Sequence, residues 1–261
     1  MSETTSSTPT DSAKKPRLLE GKNCLITGGS RNLGRFLCLE FAKAGANIAF
    51  TFHQRDQEAQ QTIELLKAEG CEPLVFQGSV SDAKHVNETI KALVEAWGQI
   101  DILVNNAGLT QILPIGLLEE KDWDKVMATN VKGPYLFSRA VLRPMIRARR
   151  GHILNISSFA ADRIVGAPVH YAASKAALRA FSDALAKEVG RYNIQVNALS
   201  PGMLDVGMSQ RLPRHYVEDY TRQAALGELV SSQKVAKLAV WLVSDQNTFM
   251  TGSKIVVDGG L

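Results

Sequence analysis

The sequence predicts a single doubly wound α/β domain: a seven-stranded parallel sheet with helices on both faces. Three observations carry that expectation. Seven short β-branched or apolar runs recur along the chain, six longer helical stretches lie between them, and a glycine turn follows directly on the first run. Strands alternating with helices imply right-handed βαβ crossovers, which cover a parallel sheet on both sides.

In chain order, the strands are expected at Asn23–Thr27, Asn47–Phe52, Pro73–Gln77, Ile102–Val104, His152–Ile156, Gln195–Leu199 and Lys254–Val257. The helical stretches fall at 32–45, 56–69, 82–97, 120–148, 170–190 and 231–244, each too long for a strand. Residues 1–17 are Ser, Thr, Pro and Lys with little to bury, so a disordered polar tail is expected there. Residues 18–261 contain no repeat and no Pro/Gly linker, and read as one domain.

Composition excludes several classes. With 45% apolar and 21% charged residues, the 261-residue chain has the make-up of a soluble globular protein. Its longest apolar runs, such as Leu238–Val243, are far short of a membrane span, and the N-terminus has no apolar signal core. A net charge of +4 is too mild to argue for nucleic acid. Cys24, Cys38 and Cys71 show no ligand spacing; the odd count suits a reducing, cytoplasmic setting and a core role, with a hidden disulfide as the lesser alternative. The five histidines also lack ligand spacing, and no metal is expected.

The first strand runs into Thr27-Gly28-Gly29-Ser30-Arg31-Asn32-Leu33-Gly34 and then a helix. Glycines here let the chain turn sharply and bring N–H groups and a helix N-terminus against a pyrophosphate; the alternative is a merely structural βα turn. Asn105-Asn106-Ala107-Gly108 ends the fourth strand. Ser158 ends the fifth, thirteen residues before Tyr171, and Tyr171 and Lys175 lie four apart on one helix face. A phenol is a poor acid–base group at neutral pH, and a neighbouring cation favours its phenolate.

Taken together, these motifs resemble the short-chain dehydrogenase/reductase family over residues 20 to 261, in the family's order and at compatible spacings. The resemblance implies a Rossmann domain, an NADP(H)-dependent oxidoreductase and a catalytic set of Asn130, Ser158, Tyr171 and Lys175. It further implies cofactor contacts from Gly28, Ser30, Arg31, Asn32, Leu33, Gly34, His53, Ser79, Val80, Asn106, Ala107, Gly108, Tyr171, Lys175, Pro201, Gly202 and Leu204. NADPH is favoured over NADH because Phe52 stands where NAD-preferring relatives carry a carboxylate, and Arg31, with His53 or Arg55, would meet a 2′-phosphate. Three departures stand out: Asn32 for a glycine, Ser79 for an aspartate and Val206 for a threonine.

Within the family, the text from Asn193 to Gly202 and the ending Val257-Asp258-Gly259-Gly260 are most similar to 3-oxoacyl-[acyl-carrier-protein] reductases. That similarity implies reduction of a 3-oxoacyl thioester on acyl carrier protein or CoA. Another small ketone or a pteridine is the enzymatic alternative, and an NADP(H) sensor or scaffold the non-enzymatic one. Arg149 matches a carrier-docking arginine, with Arg191 near the second, displaced position held by Tyr192; equally, cations beside a helix C-terminus offset its dipole. Residues 203–230 read as a lid or as a packed helix pair. Val126, Val131, Leu136, Leu178, Phe181 and Leu185 on the two long helices could leave an exposed apolar stripe; the alternative is that they pack on the chain's own sheet, as at least half of them are expected to, and relatives suggest a homotetramer.

Overall fold

The computed structural model describes residues 17–207 and 209–261. Apart from Arg17, which pairs with Glu20 at 2.6 Å, the expected tail lies outside the described residues. One sheet of seven parallel strands runs in the order β3-β2-β1-β4-β5-β6-β7. Its strands are β1 Asn23–Thr27, β2 Asn47–Phe52, β3 Leu74–Gln77, β4 Ile102–Asn105, β5 Gly151–Ile156, β6 Ile194–Pro201 and β7 Lys254–Val257. The order reverses between β1 and β4, so a crevice opens at their carboxyl ends, where open α/β sheets bind ligands.

Among the described residues eight α-helices cover the sheet: α1 Asn32–Lys43, α2 Asp56–Ala68, α3 Ala83–Trp97, α4 Glu120–Met127, α5 Gly133–Ala148, α6 Val169–Val189, α7 Arg214–Gln223 and α8 Ser232–Leu242. Successive strand residues feed two separate cores. Cys24, Ile26, Ile48 and Phe50 pack on one side with Leu37 and Phe41 of α1 and Val235 and Ala239 of α8. Leu25, Ala49 and Leu103 face the other side, against α3, α5 and α6 through Leu93, Phe137, Val141 and Leu185. With both faces apolar, the strands read as continuous hydrophobic runs. Among the described residues no helix is long and apolar enough to cross a membrane.

The structure differs from the sequence expectation in four places. β3 starts at Leu74, after Pro73, which has no N–H to give the ladder. β6 is longer than expected because it pairs on both sides, as far as Ile156↔Leu199 and Pro201↔Val257. The stretch 120–148 is two helices joined by a π-helical turn, Ala128–Lys132, with Pro144 inside the second. Within 203–230, α7 is a packed helix anchored by the buried Tyr220.

The apolar stripe is also corrected. Val126 of α4, Leu136 of α5, and Leu178 and Leu185 of α6 are buried within the chain itself, and Val131 and Phe181 are half-buried. All three cysteines are free thiols, and burial pushes the Cys24 and Cys38 thiols up, away from reactivity. A buried polar chain sits at the carboxyl ends of the central strands. The register partners Asn105 and Asn155 are joined at 2.8 Å, Asn105 reaches Ser138 at 3.2 Å, and Asn155 reaches Ser182 of α6 at 2.8 Å.

Candidate active site

Two turns meet at the crevice and are stapled together. Thr27 Oγ1 accepts the N–H groups of Asn106 and Ala107, both at 3.0 Å. The Asn106 amide returns to the carbonyls of Thr27 and Gly28 at 2.9 and 3.1 Å. Gly28 has φ +69°, and a Cβ there would lie 2.9 Å from the Ala107 backbone; at Gly34 it would lie 2.0 Å from the Gly28 carbonyl. These two positions tolerate no side chain. Asn32 adopts φ +49°, a left-handed conformation that asparagine bears better than most residues, so the departure from glycine keeps the turn.

This cradle fits the pyrophosphate of a dinucleotide. No side chain caps the N-terminus of α1, so its first N–H groups are left for an anion. Arg35 cannot serve, since it is bound to Thr62, to the carbonyls of Ser30 and Glu58, and to Gln61. The Arg31 side chain makes no hydrogen bond or ion pair among the described residues; its carbonyl accepts Arg35 N–H at 3.2 Å. Beyond β2, His53, Gln54 and Arg55 are exposed, and Arg55 is held at φ +79°.

Other expected cofactor residues have local duties. The Ser79 hydroxyl is 2.9 Å from that of Ser81, inside its own turn. Val80 packs against Gly133 at the start of α5, and Leu33 is buried in the α1 core. Pro201 closes β6, and a Cβ on Gly202 would collide with the Tyr220 hydroxyl. Leu204 bridges to Val230 at the root of the 203–230 segment.

The four expected catalytic residues converge. Tyr171 and Lys175 stand one turn apart on α6, with Lys175 Nζ 5.8 Å from the phenol ring centroid. Lys175 is 4% exposed and donates to the Ile156 carbonyl at 2.7 Å. The π-helical turn carries Asn130 into the interior. Its Oδ1 accepts from Leu109 N–H at 2.7 Å, and its amide donates to the Leu109 carbonyl at 2.8 Å and to Ser174 Oγ at 2.9 Å. Ser174 in turn donates to the Tyr171 carbonyl at 2.7 Å. A Cβ on Gly108 would lie 3.4 Å from Lys175 Nζ and 3.6 Å from Asn130 Oδ1, so the second turn reaches the same spot.

Ser158 leaves β5 beside Tyr171, its Oγ accepting from Ala160 N–H at 3.2 Å. Its neighbour Ser157 spends its hydroxyl on the Lys175 carbonyl at 3.1 Å. Burial raises the Tyr171 phenol above its usual value, and the Ser158 hydroxyl pulls it down. Lys175 adds no lowering of its own, because it is neutral over the range in which the phenol ionises. Burial lowers Lys175 itself to about 8.

Arg149 and Arg191 are also brought together: Arg149 donates to the Arg191 carbonyl at 3.3 Å. They lie at the amino end of β5, however, whereas Ser158 follows its carboxyl end. The six residues of that strand separate the two places by roughly 20 Å. Sequence reasoning missed Thr27, Ser174 and Tyr220. A threonine before the glycine turn and a serine inside the Tyr–Lys interval were the only signals, and Tyr220 left none.

A family model described as enoyl-(acyl carrier protein) reductase matches residues 28–261. The 3-oxoacyl-[acyl-carrier-protein] reductase of Thermotoga maritima is 36% identical over 250 residues, covering 93% of this chain and 98% of that protein. The enzyme of the same name from Pseudomonas aeruginosa is 37% identical over 243 residues, again covering 93% and 98%. Among solved structures, a gluconate 5-dehydrogenase from Burkholderia cenocepacia in complex with NADP and tartrate superposes with a TM-score of 0.88. It shares 30% identity and covers 94% of this chain and 97% of its own. A dehydrogenase/reductase from Sinorhizobium meliloti gives 0.87 at 32% identity, covering 94% and 96%.

Lys175 generates a stability test. Its folded pKa lies below its ordinary value, so folding favours the neutral amine. The associated stability is complete only above the ordinary value of 10.5 and is lost as pH falls through about 8. Lys175→Met lacks that dependence. Its Tm is expected to exceed that of the wild type at pH 7, with the gap closing between pH 8 and 10.5; a gap that is constant with pH rejects the buried-cation account.

Proposed function

Because the chain belongs to the short-chain dehydrogenase/reductase family and is an oxidoreductase of CH–OH and C=O groups, we propose that it reduces a 3-oxoacyl thioester to the 3-hydroxyacyl form with NADPH. The observation that carries this reading is the hydroxyl pair of Tyr171 and Ser158 beside a buried Lys175, at the mouth of a dinucleotide cradle. The names of the Thermotoga and Pseudomonas relatives support the substrate class.

When bound, the nicotinamide supplies the hydride. The protein's share is the proton and the charge. Ser158 Oγ–H donates to the substrate carbonyl oxygen and holds it at the phenol, stabilising the charge that develops there. Tyr171 Oη releases its proton to that oxygen, giving the alcohol. Lys175 Nζ, 5.8 Å from the ring centroid, would favour the phenolate left behind when it carries its proton. Asn130 keeps Leu109 and Ser174 fixed, and with them the second turn and the first turn of α6. Three free thiols suit a reducing, cytoplasmic setting.

Arg31 would hold the 2′-phosphate, with no carboxylate at Phe52 to repel it. Carrier docking on Arg149 and Arg191 belongs to the same proposal, with a geometric condition. The patch is at the wrong end of the sheet to feed its own site, so it requires an assembly that brings a second copy's site to it. A homotetramer would meet that condition. Its support has moved from the buried stripe to the outer face of α5 and α6, where Tyr135, Ala173, Ala180 and Ala184 are exposed and allow close helix approach.

Three measurements test this reading. Against a panel of 3-oxoacyl, enoyl and simple ketone substrates, turnover is expected with the 3-oxoacyl thioester, and Tyr171→Phe should lower kcat at least about 100-fold while cofactor affinity holds. Preference for the enoyl thioester, or an active Phe variant, sinks it. NADPH should exceed NADH in kcat/KM, and Arg31→Ala should cost NADPH about tenfold to a hundredfold, the worth of one or two charge-assisted hydrogen bonds. An equal loss with NADH would remove Arg31 from the phosphate site. Light scattering of the purified chain should give four times the chain mass, and a monomer would rule out both the assembly and docking as described.

A further inference from the structure

Ser158 is the last ordered step before the chain leaves the sheet. Ser157 is still held by the Leu199 carbonyl at 2.7 Å, but after Ser158 the backbone turns through the 3-10 helix Phe159–Ala161. That turn closes on itself: Ala161 N–H reaches the Ser158 carbonyl at 3.0 Å, and Asp162 N–H the Phe159 carbonyl at 2.9 Å. The Ser158 hydroxyl is therefore only as well placed as the far end of this turn.

The far end is Asp162, and it is clamped. Its Oδ1 is 3.0 Å from Arg179 Nη1 and 3.0 Å from Lys254 Nζ at the start of β7. The carboxylate is 7% exposed, and its other oxygen is buried without a partner, so among the described residues only these two cations hold it. Arg179 lies four residues beyond Lys175 and eight beyond Tyr171, on the same face of α6. A continuous path thus runs from Tyr171 down one helix face to Arg179, across the ion pair to Asp162, and back through a single helical turn to Ser158. The adjoining pair, Arg163 to Asp258 at 3.1 Å, fixes the exit of the turn to the end of β7.

We propose that Asp162, held between Arg179 and Lys254, is a positioning residue that sets the Ser158 hydroxyl against Tyr171. The proposal rests on the reading of Ser158 and Tyr171 as the reacting hydroxyl pair. A buried carboxylate that loses one cation is strongly destabilised where it sits, so the turn shifts, and Ser158 with it. A misplacement of about 1 Å costs on the order of 100-fold in rate.

The test uses Asp162→Asn, Arg179→Met, Arg179→Lys and Lys254→Met in the full chain. Asp162→Asn and Arg179→Met are expected to lower kcat about 10- to 100-fold and leave the KM for NADPH unchanged, since the nucleotide cradle is formed by other turns. Arg179→Lys should recover part of the loss, and Lys254, which holds the carboxylate from β7 and not from the helix of Tyr171, should matter less. The double variant Asp162→Asn/Arg179→Met should be no worse than the poorer single one. In alcohol oxidation, the rising limb of rate against pH should move upward in these variants, because Ser158 no longer draws down the phenol; Lys175, the other titrating group there, is untouched.

Wild-type kcat in a folded Asp162→Asn protein overturns the proposal. So does a loss with an unmoved pH limb, or one that adds across the double variant. If Asp162→Asn fails to fold, Arg179→Met and its lysine rescue carry the test. Ser158→Ala and Tyr171→Phe separate the two levels: full activity in those variants removes the parent reading, whereas their inactivity beside a normal Asp162→Asn removes only the positioning role.

Discussion

The rest of this structure is arranged around a cation kept out of water. Lys175 is almost wholly buried, and its Nζ has one carbonyl, that of Ile156, at hydrogen-bond distance. An isolated ammonium in such a place loses several kcal/mol of hydration and tends to give up its proton. Its ordinary value is accordingly pulled to about 8, close to the working range of an acid–base catalyst. A scaffold that tolerates this must be rigid elsewhere, and the polar chain through Asn105, Asn155 and Ser182 meets that need just below.

The second constraint is that three separate loops must converge on that cation. The glycine turn after β1 and the turn after β4 are made one body by Thr27 and Asn106. The turn after β4 is then tied to α6 by Asn130, whose three hydrogen bonds use the side chain fully in one direction. This explains the π-helical turn at Ala128–Lys132. One extra residue in that turn rotates Asn130 inward, where a regular helix over 120–148 would have carried its face past the loop.

That point marks where the sequence was legible and where it was not. The strand positions, both faces of the sheet and the convergence of Ser158, Tyr171 and Lys175 follow from short apolar runs alternating with helical stretches and from fixed spacings. These are local signals, and local physics reproduces them. The π-helical turn with its Asn130–Leu109 bonds and the Ser174 bridge depend on contacts across 21 and 44 residues, the Tyr220 anchor under Gly202 on a contact between α7 and the end of β6, and none leaves a periodic trace. The apolar stripe misled for the same reason. Helical spacing shows that Val126, Leu136, Leu178 and Leu185 share faces, but not whether the sheet or a second copy covers them.

One departure from the family pattern, Asn32, is resolved by geometry rather than by pattern. Asn32 occupies the left-handed region that the missing glycine would have occupied, so the turn is conserved in shape though not in composition. Its amide then lies against Gly207, where a Cβ would come within 3.1 Å of Asn32 Nδ2. A glycine at 32 would leave that contact empty. The first turn and the start of the 203–230 segment are therefore in touch in this chain through a side chain that the usual motif does not have. Phe159 and Tyr220, stacked edge to face at 5.7 Å, make the matching contact between the Ser158 turn and α7. The start of the segment is thus in contact with the nucleotide cradle, and α7 with the Ser158 turn.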